Sequence, residues 1–263
     1  MGSLINVRFL SIFFVAVMIA PYLAYGGGIV KGKVSYHGTL PPAEKFVFAS
    51  FPNSRFCGKH PDTSDEGRRR VIHPVETSSD GGLKHAIVYI QGLRDEQWMD
   101  KFESTNVDIR LCDFLPLTAI VVNGKNVRVV NHDADPGDPK AEKGVAHTVR
   151  AYEVLKPRSK PLFSVGLPIK GAELNKPVKM KMLKKGSIIR LTCDQHEWMR
   201  SFLLPVQNPF YGIVDDKGSF TIENVPPGSH SIVAWHPKMG KVEQTIEVSE
   251  VDAVEVNFDF KSK

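Results

Sequence analysis

Apolar and polar positions alternate with a period of two through much of this chain. In "VKMKM" at 178–182, Val178, Met180 and Met182 face one way while Lys179 and Lys181 face the other, the pattern of a half-buried strand. The same alternation runs through "VAHTVRAYEV" at 145–154, through Phe220 and Ile222, and through Ile232 and Ala234. A continuous apolar run, "LKHAIVYIQGL" at 83–93, predicts a further strand. Turn residues punctuate these runs: Gly38 with Pro41 and Pro42, Asp215-Asp216-Lys217-Gly218, and Pro226-Pro227-Gly228. Helical periodicity is nearly absent beyond the first residues, and only 94–106, "RDEQWMDKFESTN", suits a short helix. The pattern is that of an all-β sandwich protein.

The first 26 residues differ from the rest. Arg8 precedes an apolar run from Phe9 to Ala20, and small residues follow at Ala24-Tyr25-Gly26. That is a signal peptide over residues 1–26 with cleavage expected after Gly26, an uncleaved membrane anchor being the alternative. Export to the periplasm or outside the cell follows in either case. Three regions divide the remainder: 28–112, 113–206 and 208–263. The first opens on "GIVKGKVSYHG", which has the character of an edge strand able to complete the sheet of the last region around the middle one.

Composition narrows the function classes. At 42% hydrophobic and 24% charged, the chain is that of an ordinary globular protein. Its formal charge of +5 suits an acidic partner or an anionic surface. Nucleic acid is not implied, because Arg68-Arg69-Arg70 is the one tight basic triplet, has no aromatic neighbours, and reads as a solvated loop. Three cysteines is an odd number for an exported protein, and arithmetic allows three pairings. If Cys57 pairs with Cys112, Cys193 remains as a thiol that a metal would occupy.

The candidate chemistry lies in "TCDQHEWMR" at 192–200. The strand "GSIIRLTC" ends at Cys193, so Cys193, His196 and Met199 sit at a spacing of three on the turn leaving it. A thiolate, an imidazole and a weak thioether, joined by a second imidazole, make a His2Cys site that selects copper. Zinc sites seldom use a thioether. Between residues 113 and 192 the second imidazole is either His147 or His132. His147 opens an alternating strand 46 residues before Cys193, whereas His132 stands in the acidic loop "NHDADPGDP". A strand end positions a ligand better, which favours His147. Met180 and Met182 read as core rather than as a copper(I) pair, and His236 as a packed or capping residue.

The loop "CDQHEWM" resembles that of the small blue copper proteins, the cupredoxins such as amicyanin, plastocyanin and pseudoazurin. A wider resemblance is to bacterial proteins, often labelled methylamine-utilisation or plastocyanin-like, that join a cupredoxin to a carboxypeptidase regulatory-like sandwich. It is carried by Cys57-Gly58, "GGLKHAIVYI" at 81–90, "CDFLP" at 112–116, the ligand loop, "DDKGSFTIENVPPG" at 215–228 and the "AWHP" after it. The resemblance implies a Greek-key cupredoxin sandwich over 113–206 and a smaller prealbumin-like sandwich over 208–263. It also implies one type-1-like copper ion on His147, Cys193, His196 and Met199, and we expect a Cys57–Cys112 disulfide. Asn131 and Thr148 are expected to support the ligands from behind. Thr148 stands where the family carries an Asn that ties the two ligand loops together. The stretch between Asp133 and His147 is thirteen residues, longer than in the family, and its acidic part, 133–143, is expected to shield or mark the copper edge.

These features imply an electron carrier rather than an enzyme. Copper oxidases and nitrite reductases place a His beside the Cys, where this chain has Asp194, and no His-x-His pair occurs. No hydrolytic site is visible. The expected partner is a redox protein such as a c-type cytochrome or a dehydrogenase. The alternatives are copper binding and delivery, or a non-redox interaction module with a vestigial site. Trp198 either forms an apolar docking patch or covers the core. Nothing in the residues binds an amine.

Overall fold

The computed structural model describes residues 27–261; the segment expected to be a signal peptide, residues 1–26, lies outside the described residues. The fold is all-β and consists of two sandwiches. In the first, a sheet ordered Arg158–Leu167, His147–Leu155, Ile188–Cys193, Arg200–Pro205, Thr118–Val121 faces a sheet ordered Glu173–Pro177, Asn126–Asn131, Ser104–Arg110, Asp113–Leu115. The sequence alternation sets which side chains fill the space between them. Val127, Val129 and Asn131 point inward from one strand, His147, Val149 and Ala151 from another, and Ile189, Leu191 and Cys193 from a third. Inward parity therefore delivers His147 and Cys193 to the same interior as the core aliphatics.

The second sandwich packs Gly28–His37 with Ser219–Val225, Val254–Glu255 and Phe258–Lys261 against Tyr211–Ile213, Ile87–Gln91, Gly228–His236 and Gly240–Val248. Its core includes Val30, Val34, Ile90, Phe220, Ile222 and Phe258. Gly28–His37 joins this sheet as a central strand rather than the expected edge: Ser219–Val225 pairs on one side, Val254–Glu255 and Phe258–Lys261 on the other. Gly32 permits the close approach. A Cβ built there would lie 1.8 Å from the Val256 carbonyl oxygen.

Residues 28–112, one region on the sequence pattern, are shared between the sandwiches. Ile87–Gln91 pairs within the second, Ser104–Arg110 runs parallel to Asn126–Asn131 in the first, and the helix Glu96–Lys101 bridges them. The Asp95 side chain accepts the Trp98 N–H and caps that helix, which is shorter than the stretch 94–106 allowed. The run "AIVYI" lacks alternation because both faces of its strand are buried. Val88 and Ile90 enter the second core, while Ile87 and Tyr89 meet Ile120, Leu204 and Val206 of the first sandwich.

Two local expectations change. Glu44–Val47, Thr63–Ser64 and Arg69–Ile72 form a small sheet, and Arg70 is not a solvated loop residue: it is buried and ion-paired to Asp113 at 2.6 Å. The Val178–Met182 stretch keeps its alternating burial without being a strand. Three of its N–H groups find side-chain acceptors instead, Met180 on Asn123 Oδ1 and Lys181 and Met182 on the Glu153 carboxylate, while Val178 bonds the Lys125 carbonyl. His236 is buried and accepts the N–H groups of Lys238 and Met239, a capping role.

A methyl group at Gly32 must displace main chain rather than a flexible side chain. Gly32→Ala is expected to destabilise the protein by about 1–3 kcal/mol, as overpacked sites do. A chemical unfolding curve measures this, and a midpoint equal to that of the unaltered protein would contradict the close packing described.

Candidate metal centre

Three donor atoms converge at one end of the first core. Cys193 Sγ lies 3.7 Å from His147 Nδ1 and 3.8 Å from His196 Nδ1, and the two Nδ1 atoms are 3.2 Å apart. The circle through these three atoms has a radius of about 2.1 Å, the product of the sides over four times the enclosed area. That matches metal–nitrogen and metal–sulfur bond lengths of about 2.0–2.3 Å. The residues are secluded: Cys193 is 5% exposed, His147 1% and His196 0%. Met199 is fully buried on the same turn, its N–H donating to the His196 carbonyl. His132 does not join them. It follows directly on the strand Asn126–Asn131 of the other sheet, its Nε2 2.9 Å from Asp108 Oδ1.

Both imidazoles are held with Nδ1 toward the thiol because an oxygen acceptor occupies each Nε2. His147 Nε2 donates to Asp133 Oδ2 at 3.0 Å, and His196 Nε2 to the Pro52 carbonyl at 3.2 Å. Burial alone would push the Cys193 thiol up. Hydrogen bonds and charge from His147 and His196 overcome it and bring the thiol down to about 6. Burial likewise opposes a charged His147, but the Asp133 carboxylate and the Cys193 sulfur raise it above the usual imidazole value. A thiolate beside two oriented imidazoles is a donor set made for a cation, and with a thioether on the same turn it suits copper.

The supporting residues are tied as tightly as the ligands. Thr148 joins the two ligand segments through Gln195: its N–H donates to Gln195 Oε1 at 2.6 Å, and its hydroxyl accepts Gln195 Nε2 at 2.9 Å. Asn131 donates to the carbonyls of Val145 and Leu167 and accepts the Asp133 N–H. Within the acidic stretch 133–143, Asp133 makes the contact with the site. Asp133 and Asp135 are buried, Asp133 on His147 and Asp135 with Lys59 at 3.2 Å. Neither Asp133 nor Gln195 is marked as a supporting residue by spacing alone: the interval between Asp133 and His147 does not reveal that the chain folds back.

The Cys57–Cys112 disulfide forms, and Cys193 is the free thiol. The bridge belongs to the site: Cys57 Sγ is 3.5 Å from His196 Nε2, and the Cys112 N–H donates to Asp133. Trp198 covers the core instead of offering a docking patch. It is 1% exposed, donates to the Cys112 carbonyl, and packs edge-on to Phe48 and Phe51 with its ring centroid 5.1 Å from that of His196.

No protein-family model and no curated protein matches the chain. Among solved structures, a purple cupredoxin from Nitrosopumilus maritimus overlays at TM-score 0.29 and 14% identity, over 39% of this chain and 99% of that one. An oxidized amicyanin variant gives 0.28 and 15%, over 45% and 98%. A copper-containing nitrite reductase from Thermus scotoductus gives 0.29 and 15%, over 40% of this chain and 23% of its own. Likeness this slight carries no argument, so the metal assignment rests on the donor geometry.

Asp133→Asn leaves one carbonyl oxygen to serve three donors and frees the His147 ring. Copper(II) affinity is expected to fall by about 10–100-fold, the usual cost of losing such a support. A competition titration measures it, and unchanged affinity would remove Asp133 from the site.

Proposed function

We propose that this protein is an exported one-copper electron carrier of the cupredoxin kind, in which His147, Cys193 and His196 would be the strong ligands and Met199 a weaker thioether donor. The observation that carries the reading is the ligand triangle, already sized for a metal with both imidazoles turned to it. Copper bound there would change oxidation state by one electron. The chain's own contribution is to hold the ligand atoms still through that change, by the bonds from Asp133, Pro52 and the Thr148–Gln195 pair.

Single-centre chemistry is supported by the position beside Cys193. Asp194 there is exposed and pairs with Arg150 at 2.7 Å, so it offers no route to a second metal. Every His, Cys, Asp and Glu cluster of ligand type among the described residues draws on this one centre. The electron would enter and leave through the Pro52 carbonyl on His196, since Pro52 is exposed while every strong ligand is covered. Arg55 is exposed nearby and, with the chain's formal charge of +5, favours an acidic redox protein, such as a c-type cytochrome or dehydrogenase, as partner. The disulfide accords with a periplasmic or secreted location after removal of residues 1–26.

The test is reconstitution of the purified protein with copper(II). One ion per chain, an intense visible band from thiolate charge transfer, a reversible one-electron couple, and loss of the band in Cys193→Ala are expected. A colourless protein that takes up copper(I) alone would replace this reading with copper delivery. No uptake of either ion would leave a structural module.

A further inference from the structure

The strands that send Cys193 inward send other side chains outward, into a space between the sandwiches. Ile188 and Arg190 alternate with Ile189 and Leu191, and Arg200 and Phe202 alternate with Ser201 and Leu203. With the small sheet and Pro237 and Lys238 of the second sandwich, they enclose a cavity of about 620 Å³. That volume lies within the range of small-molecule sites. Trp198, whose ring packs on His196, forms part of its wall.

The polar groups of this wall are unbalanced. Its four carboxylates are all engaged: Asp113 and Asp62 by Arg70, at 2.6 and 3.3 Å, Glu44 by Arg200, and Glu76 by His85 at 3.6 Å. Arg190 lies over the Tyr152 ring and, like Lys156 and Lys238 at the rim, has no carboxylate partner among the described residues. Arg70, Arg190 and Arg200 each carry a buried Nε with no hydrogen-bond acceptor, and the Arg70 side chain is only 4% exposed. Those three Nε atoms are closed off by protein on all sides, so the free positive charge that the cavity presents is that of the Arg190 terminal nitrogens, Lys156 and Lys238. Phe114, Leu117, Ile188 and Phe202 make the remaining wall apolar.

We propose that this cavity binds a small organic carboxylate with an apolar body, its carboxylate received by the Arg190 terminal nitrogens with Lys156 and Lys238 alongside. The body lies against Phe202 and Trp198, so the ligand sits one aromatic ring away from His196. A planar guanidinium fork suits a carboxylate in a way a lysine does not. This site is separate from the metal ligands and does not depend on which metal they hold.

The experiment is calorimetric titration of the full chain, disulfide intact, with naphthoate and with the neutral naphthamide of the same shape. Saturable binding of one naphthoate per chain, about tenfold tighter than naphthamide, is expected, as is an approximately tenfold loss of naphthoate affinity in Arg190→Gln with naphthamide unchanged. The Lys156→Gln, Lys238→Gln double variant alters only exposed positions, retains the fold, and is expected to weaken naphthoate severalfold and flatten its salt dependence. Equal affinity for the two probes, absence of naphthoate binding, or indifference to both sets of substitutions would overturn the proposal.

Discussion

A single buried carboxylate connects the parts of this molecule that matter most. Asp133, 2% exposed, receives the N–H groups of Leu111 and Cys112 at 2.7 and 2.8 Å and the His147 imidazole at 3.0 Å. Leu111 and Cys112 both adopt positive φ, 49° and 57°, which turns two successive N–H groups onto one anion. A carboxylate in such surroundings is tolerable only when its oxygens are fully engaged, and losing a partner of a buried charge costs about 3–5 kcal/mol. The disulfide, His147 and the loop between them are consequently held to one another. Asn131 fixes the Asp133 backbone from the strand below, so the connection reaches the sheet.

Strand parity explains how so small a set of contacts can be this exact in its placement. Val149 lies opposite Cys193, and His147, two residues before Val149, shares its face. No loop search is needed to bring the thiol and the first imidazole together. The second imidazole comes from the turn after Cys193 and is set by the cover above it, where Pro52, Cys57 and Trp198 surround its ring. The same parity, read on the opposite face, places Arg190 and Phe202 side by side in the cavity between the sandwiches.

Much of this was legible in the sequence because it depends on local periodicity. The all-β class, the strands ending at Cys193 and beginning at His147, and the preference for His147 over His132 all follow from period-two patterns and from ligand chemistry at a fixed spacing. What escaped was whatever depends on a partner distant in the chain. Gly28–His37 looked like an edge strand because nothing local announces neighbours near residues 220 and 255 on both of its sides. Arg70 looked solvated because its partner, Asp113, is 43 residues away. The 178–182 run looked like a strand because alternating burial does not distinguish a ladder from side-chain acceptors such as Glu153. Thr148 looked like a loosened tie, since the Gln195 side chain that completes it belongs to the opposite ligand segment.

Under the copper reading proposed above, the cover over His196 bears on the choice between electron exchange and ion delivery. Its segment, from Phe48 through Cys57, packs aromatic rings on Trp198 and is stapled to the sheet by a bridge that closes a loop of 55 residues. Such a staple limits how far the segment can lift while the bridge is intact. Delivery of an ion requires the ligands to be reached and exchanged by another protein, whereas electron exchange requires only a short path and a still geometry. A ring whose far nitrogen touches the carbonyl of an exposed proline, beneath a cover that does not have to open, meets the second requirement and obstructs the first.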